Sequence, residues 1–215
     1  MSREANIVAD NAEQSLAGFL LTRQRRENSQ GLVFDFWIKT ATGAVCVEVS
    51  QQQAVCFVET SHIQRIEKNL LSRPGVVIKP LALKAFSGES VSGVYFSSYR
   101  QLLAAKDEFE AIGIPFLEAD VRPAERYLME RFVTSSVVIE YQHDGQRTSH
   151  GRFSIIVPTQ LKPGEFSPEF RVASIDIETS MDIGRSVSQD QLFSIAVVQD
   201  ELRQVFMVGD VNQPP

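Results

Sequence analysis

Apolar and polar positions alternate along much of this chain with a period of two, the mark of half-buried β-strands. After a polar, aperiodic stretch over 1–15, expected to be a disordered lead-in, structure is expected from Leu16, with a strand at Phe19–Thr22. Leu32, Phe34, Phe36 and Ile38 then alternate with Val33, Asp35, Trp37 and Lys39. Thr42-Gly43 turns the chain and Val45, Val47 and Val49 alternate on the return, which predicts a hairpin. Trp37 falls on the more polar face, as a half-covered packing residue.

Residues 53–119 change rhythm. A strand at Val55–Val58 leads to a helix whose start carries Ser61 and Gln64 at capping-box spacing. Its apolar face is Ile63, Ile66, Leu70 and Leu71, and Pro74-Gly75 stops it. Strands follow at Val76–Ile78 and Val91–Phe96. A second helix turns Leu102, Leu103, Phe109 and Ile112 inward, and Ile114–Leu117 closes the set. The order is βαββαβ, the split βαβ arrangement of ferredoxin-like and RNA-recognition folds. In the latter, aromatics on central strands stack on bases, which makes Tyr95 and Phe96 nucleic-acid candidates against a packing role in the core.

A helical element begins at Pro123 within 118–132. There Arg122, Arg126 and Arg131 face Glu118, Asp120, Glu125 and Glu130, enough for internal ion pairs and a bracing role. Val137–Tyr141 and Phe153–Val157 read as a hairpin around His143-Asp144-Gly145. Pro158, Pro163, Gly164 and Pro168 mark a linker over 158–169. Three more strands follow, the first over 170–178, then Leu192–Val198 and Val205–Val208, with a polar loop over 179–190. The fold class is α+β.

Composition narrows the function classes. With 43% apolar and 22% charged residues the chain can bury a core, and its net charge of −6 argues against a self-sufficient DNA-binding module. Arg23, Arg25 and Arg26 form a local basic cluster, read as a solvated turn with phosphate contact by Arg23 and Arg25 as the sharper alternative. Cys46 and Cys56 sit on predicted strands without metal spacing, as buried reduced thiols, and His62, His143 and His150 show no zinc spacing. No apolar run approaches a membrane span, and the cytoplasm is the expected location.

The chemistry concentrates at Asp176 and Glu178. Spaced i and i+2 on a strand, they point to one side while Ile175 and Ile177 turn toward a core. Adjacent carboxylates repel unless a cation sits between them, and oxygen ligands suit Mg²⁺ or Mn²⁺. Two such ions roughly 3.5–4 Å apart are a device for in-line phosphodiester cleavage. Asp182, Asp190, Asp200 and Asp210 read as loop and turn residues rather than ligands.

Two segments carry a resemblance. Ser174-Ile175-Asp176-Ile177-Glu178-Thr179 resembles the first exonuclease motif of family B DNA polymerases, the Asp-x-Glu strand of their 3′→5′ proofreading domain. The run from Glu118 to Phe132, with Arg126-Tyr127-Leu128, resembles the segment preceding that domain, and Pro80-Leu81-Ala82-Leu83-Lys84 adds to the match, nearest the bacterial members. The resemblance runs from about Gly18 to the end. It implies a polymerase N-terminal domain over 16–157, and after the linker the first strands of an RNase H-like exonuclease domain over 170–215. Asp176 and Glu178 become metal-binding catalytic carboxylates, and Thr179 a contact to the terminal nucleotide.

The family's second and third exonuclease motifs and its polymerase motifs do not occur in this sequence. The chain is therefore expected to be an N-terminal piece, inactive alone, of an enzyme acting on DNA primer-template and dNTPs, with any sliding-clamp contact past residue 215. The alternative is a non-enzymatic module that binds single-stranded nucleic acid or a protein partner.

Overall fold

The computed structural model describes residues 13–149, 153–179 and 191–209. The lead-in up to residue 12, His150, Asp182, Asp190, Asp210 and most of the polar 179–190 loop lie outside these residues. Two compact units separate between Pro168 and Glu169.

Unit 1 begins earlier than its hydrophobic pattern suggests. Strand β1 runs unbroken over Glu13–Asn28, so residues 13–15 are strand rather than lead-in, and the arginine cluster lies on a strand rather than in a turn. β1 pairs antiparallel with β2 (Gly31–Thr40), and β2 with β3 (Gly43–Gln52), the expected hairpin. Leu32, Phe34, Phe36 and Ile38 all bury completely or nearly so, while Trp37 is half-buried with its ring 4.7 Å from that of Phe153. At Gly18 an added Cβ would strike the buried Ile38 methyl, so the close β1–β2 approach there depends on hydrogen as the side chain.

The later strands depart from expectation. β7 (Ser136–Gln142) and β9 (Phe153–Ile156) do not pair with each other. β7 takes the free side of β1 and β9 lies parallel to β3, because the three-stranded meander already stands between them. β8 (Gln146–Ser149) pairs with β9. Inside the expected linker, β10 (Gln160–Pro163) pairs with β7 and buries Leu161.

The sheet order is β10-β7-β1-β2-β3-β9-β8. β7 and β8 are thus five places apart, about 24 Å in a flat sheet at about 4.8 Å per strand. Only the single turn His143–Gly145 separates them in sequence, a link that reaches about 14 Å at full extension. The sheet must curl.

The chain leaves β3 directly into a second sheet, β4 (Ala54–Glu59), β6 (Ser90–Phe96) and β5 (Val76–Lys84), in that order and antiparallel throughout. Helices α1 (Thr60–Leu71) and α2 (Tyr99–Glu110) cover one side of it with Ile66, Leu70, Leu102, Ala105 and Phe109. Leu71, Leu103 and Ile112 were expected inward but are exposed. Leu71 is the last residue of α1, Leu103 adjoins the buried Leu102 on α2, and Ile112 lies past the end of α2.

Ser61 does not cap α1. Glu59 holds the N-cap position without a side-chain hydrogen bond, and the Thr60 hydroxyl instead lies 3.1 Å from Ser92 Oγ. The expected closing strand at Ile114–Leu117 contracts to one bridge, Phe57 with Leu117, and the chain turns away right after it at Glu118, with a φ of +55°. Helix α3 (Pro123–Met129) lays Ala124, Tyr127 and Leu128 into the core that joins both sheets, with Tyr127 stacked on Phe36 at 5.7 Å. As read from sequence, its flanks carry ion pairs, Arg126 with Glu118 at 2.8 Å and Arg122 with Glu125 at 3.7 Å.

Unit 2 is an antiparallel meander, β11 (Ser174–Thr179), β12 (Leu192–Gln199) and β13 (Leu202–Met207). Asp200 turns β12 into β13 with a φ of +51°, a backbone position Asp tolerates. Contrary to expectation, Ile175 and Ile177 are 61% and 55% exposed, since among the described residues of this unit no second layer covers them.

Candidate functional site

The carboxylate strand is arranged as its spacing requires. Asp176 stands opposite Ala196 and Glu178 opposite Ser194, so both acids share one face with small neighbours, while Ile175 and Ile177 share the other with Val197 and Ile195. Both carboxylates are exposed, and Asp176 Oδ1 accepts a hydrogen bond from the Ile177 amide at 3.0 Å. Thr179 follows a register shift at the end of β11.

Among the described residues no three His, Cys, Asp or Glu side chains gather around a point where a metal could sit. Two carboxylates beside open space nevertheless suit Mg²⁺, which keeps several waters and takes one or two carboxylates together with phosphate oxygens. The pair fits such an ion as part of a larger ligand set.

The nucleic-acid candidates separate by face. Phe96 is completely buried on the helix-covered side of the small sheet, which removes it from any surface. Tyr95 points the other way, half-buried, with the Lys79 ammonium 4.9 Å from its ring. It lines an open groove of about 390 Å³ with Val55, Phe57, Leu81, Arg126 and Arg131.

The arginines of β1 divide as well. Arg26 is locked on the polar face by Asp35 and Glu48, whose hydrogen bonds and charges hold its guanidinium even more firmly protonated than usual. Arg23 bonds Glu125 at 2.7 Å and holds that carboxyl below its ordinary range. Arg25 pairs with Glu27 and lies 4.5 Å from the centre of the Tyr99 ring.

What sequence reasoning missed is a one-residue bulge in β1 between Leu20 and Thr22. Before it, Gly18 and Leu20 stand opposite Thr40 and Ile38; after it, Arg23 and Arg25 stand opposite Phe36 and Phe34. The extra residue reverses parity, so odd rather than even positions face the core side. The adjacent pair Leu20-Leu21, two apolar residues where alternation calls for one, was the available signal.

Known proteins settle the relationship. Residues 18–53 match the family model described as DNA polymerase II, N-terminal, and residues 54–114 match DNA polymerase II, insertion domain. The boundary between them falls where the chain passes from the seven-stranded sheet to the three-stranded one. DNA polymerase II of Escherichia coli strain K12 is 36% identical over 198 residues, 91% of this chain and 23% of that protein.

The chain is homologous to the N-terminal part of family B DNA polymerases. The family B DNA polymerase of the hyperthermophilic archaeon Pyrobaculum calidifontis shares the fold, with a TM-score of 0.69 at 18% identity over 90% of this chain and 27% of that one. The chain thus spans about a quarter of the length of either relative. No helix among the described residues is long and apolar enough to cross a membrane.

Proposed function

We propose that this chain is the N-terminal part of a DNA-directed DNA polymerase with 3′→5′ proofreading, and that unit 2 is the opening meander of its exonuclease domain. The observation that carries the reading is the placement of Asp176 and Glu178 on one exposed face of the first strand of that meander. Asp176 and Glu178 would hold Mg²⁺ or Mn²⁺, and the bound ions would supply an activated water and a counter-charge for the leaving 3′ oxygen. Thr179, at the end of the same strand, would position the terminal nucleotide. DNA and dNTPs are the substrates of the whole enzyme, and nucleotide addition belongs to a separate site outside these residues. Two carboxylates without their remaining ligands cannot fix the ions, so the 215-residue chain alone is inactive.

The test compares this chain with the native product recovered from the source cell by antibody. The native product is expected to be several times heavier than 24.0 kDa and to shorten single-stranded DNA from its 3′ end with Mg²⁺, an activity lost in Asp176→Ala. The isolated chain is expected to show none. Nuclease activity that survives Asp176→Ala in the native product would defeat the assignment.

A further inference from the structure

Helix α3 ends in a way that its sequence makes costly. The Phe132 amide donates to the Met129 carbonyl and the Val133 amide to the Leu128 carbonyl, both at 3.0 Å. These two bonds define a Schellman cap, and Leu128 and Val133, the residues whose apolar contact usually accompanies it, are both buried. The residue before Val133 must turn left-handed, and Phe132 does so with a φ of +56°. Glycine normally stands there, because a side chain at positive φ crowds its own backbone. Phe132 carries that strain and also leaves its ring 83% exposed.

The other described left-handed residues of unit 1 that are not glycine have a compensation. Gln51 donates to Gln30 Oε1 at 3.5 Å, and Glu118 accepts from Arg126 at 2.8 Å. Among the described residues no aromatic ring or cation packs on Phe132. Met129, three residues earlier, is 63% exposed, so two large apolar side chains mark this end of α3. A single exposed apolar residue is ordinary. One that also strains the backbone where glycine would not is kept for a contact, since such strain collects at functional positions. Nucleic acid is a poor candidate, because the flanking charges Glu130 and Arg131 lie 3.9 Å apart and cancel, leaving nothing to draw a phosphate. A protein surface fits better.

We propose that Phe132, with Met129 beside it, docks into an apolar pocket of the native chain past residue 215. The chain covers 23% of the length of its Escherichia coli relative, so most of the enzyme's surfaces that face unit 1 would come from that further portion. A large ring held out from a rigid cap is an anchor of the kind protein interfaces use, since desolvating it fully returns more than the strain costs. The left-handed backbone fixes the direction in which the ring leaves α3. Glycine would relieve the strain and lose the anchor. The proposal rests on the polymerase reading, which supplies the longer chain.

The test compares the 215-residue chain with the native product. In the 215-residue chain Phe132→Gly should leave the urea midpoint of unit 1 unchanged or raise it, since the cap sheds strain and loses no packing. In the native product the same change should speed hydrogen exchange at the Val133 amide at least about a hundredfold, the loss expected when a buried ring is removed. With Phe132 replaced by the photo-crosslinker p-benzoylphenylalanine, the native product should cross-link within one chain to residues past 215. A lowered midpoint in the 215-residue chain would make Phe132 a packing residue of unit 1 and overturn the proposal. So would unchanged Val133 exchange in the native product, or cross-links that are absent, confined to residues 1–215, or made to a second copy or to added oligothymidylate. If docking fails in a native product several times heavier than 24.0 kDa that keeps its Asp176-dependent nuclease, this surface is wrong and the polymerase reading stands. If the cross-links reach past residue 215 in a product without that nuclease, the docking stands and the proofreading role of Asp176 falls.

Discussion

Phe34-Asp35-Phe36 in β2 and Ile175-Asp176-Ile177 in β11 are the same pattern in two places, a carboxylate between two large apolar residues on a strand. In β2 the apolar pair is 1% and 0% exposed; in β11 it is 61% and 55% exposed. β2 lies inside a seven-stranded sheet whose inner side meets α3 and a core shared with the second sheet. β11 is the edge of three strands with no helix of their own unit laid over them among the described residues. Alternation therefore determines which residues share a face. Whether that face becomes a core depends on a second layer, which one strand's sequence does not encode. The polar partner differs in the same way: Asp35 is tied to Arg26, whereas Asp176 meets only a backbone amide among the contacts of the described residues.

The largest expected effect tests the packed side of this contrast. Phe36→Ala removes a ring stacked on Tyr127 at 5.7 Å and packed edge-on to Phe34 at 6.2 Å. It should cost about 3–5 kcal/mol, read as a lower urea midpoint for unit 1. A loss under about 1 kcal/mol would mean that this core is loosely packed and that the two regions differ less than their exposures imply.

A smaller effect should appear in alkali. Burial pushes the Cys56 thiol up to about 12, opposed by the charge of Arg126. The folded value lies above the unfolded one, so the stabilisation is complete below about pH 9 and drains away as pH rises from there toward 12. Wild type should lose more stability than Cys56→Ala across that window, by a few kcal/mol at most, in urea titrations at fixed pH steps. Parallel curves would show that the thiol is already solvated.

Much of unit 1 was legible because its signals are local. The β2–β3 hairpin follows from strict alternation around Thr42-Gly43, and α1 and α2 from their apolar stripes and a glycine-marked stop. The errors lie where partners are distant in sequence. β7 and β9 look like a hairpin because they are neighbours in the chain, but each finds a vacant side of a meander formed a hundred residues earlier. β10 hid in a proline-marked stretch since one short strand with a single buried residue, Leu161, has no period to detect.

The candidate site divides on the same line. Its carboxylates share a face because i, i+2 spacing on a strand demands it. Tyr95 and Phe96, adjacent and equally aromatic, had to take opposite sides, and only the helices decided which was lost to the core.

The smallest expected effect bears hardest on the comparison. Ile177→Ala deletes most of an apolar side chain, yet in this chain that side chain is more than half exposed and leaves no cavity behind. The stability change should stay within about 0.5 kcal/mol, against several for Phe36→Ala. The measurement is an equilibrium unfolding curve that follows unit 2 separately from unit 1, for instance by hydrogen exchange at the amides of β12. The same substitution in the longer native product discriminates further. If the Ile175–Ile177 face is the inner side of a larger exonuclease sheet, a second layer covers it there and the cost rises to about 2–5 kcal/mol. Equal and negligible costs in both would show that the face is never covered, and an exonuclease core built on β11 would then have to be abandoned.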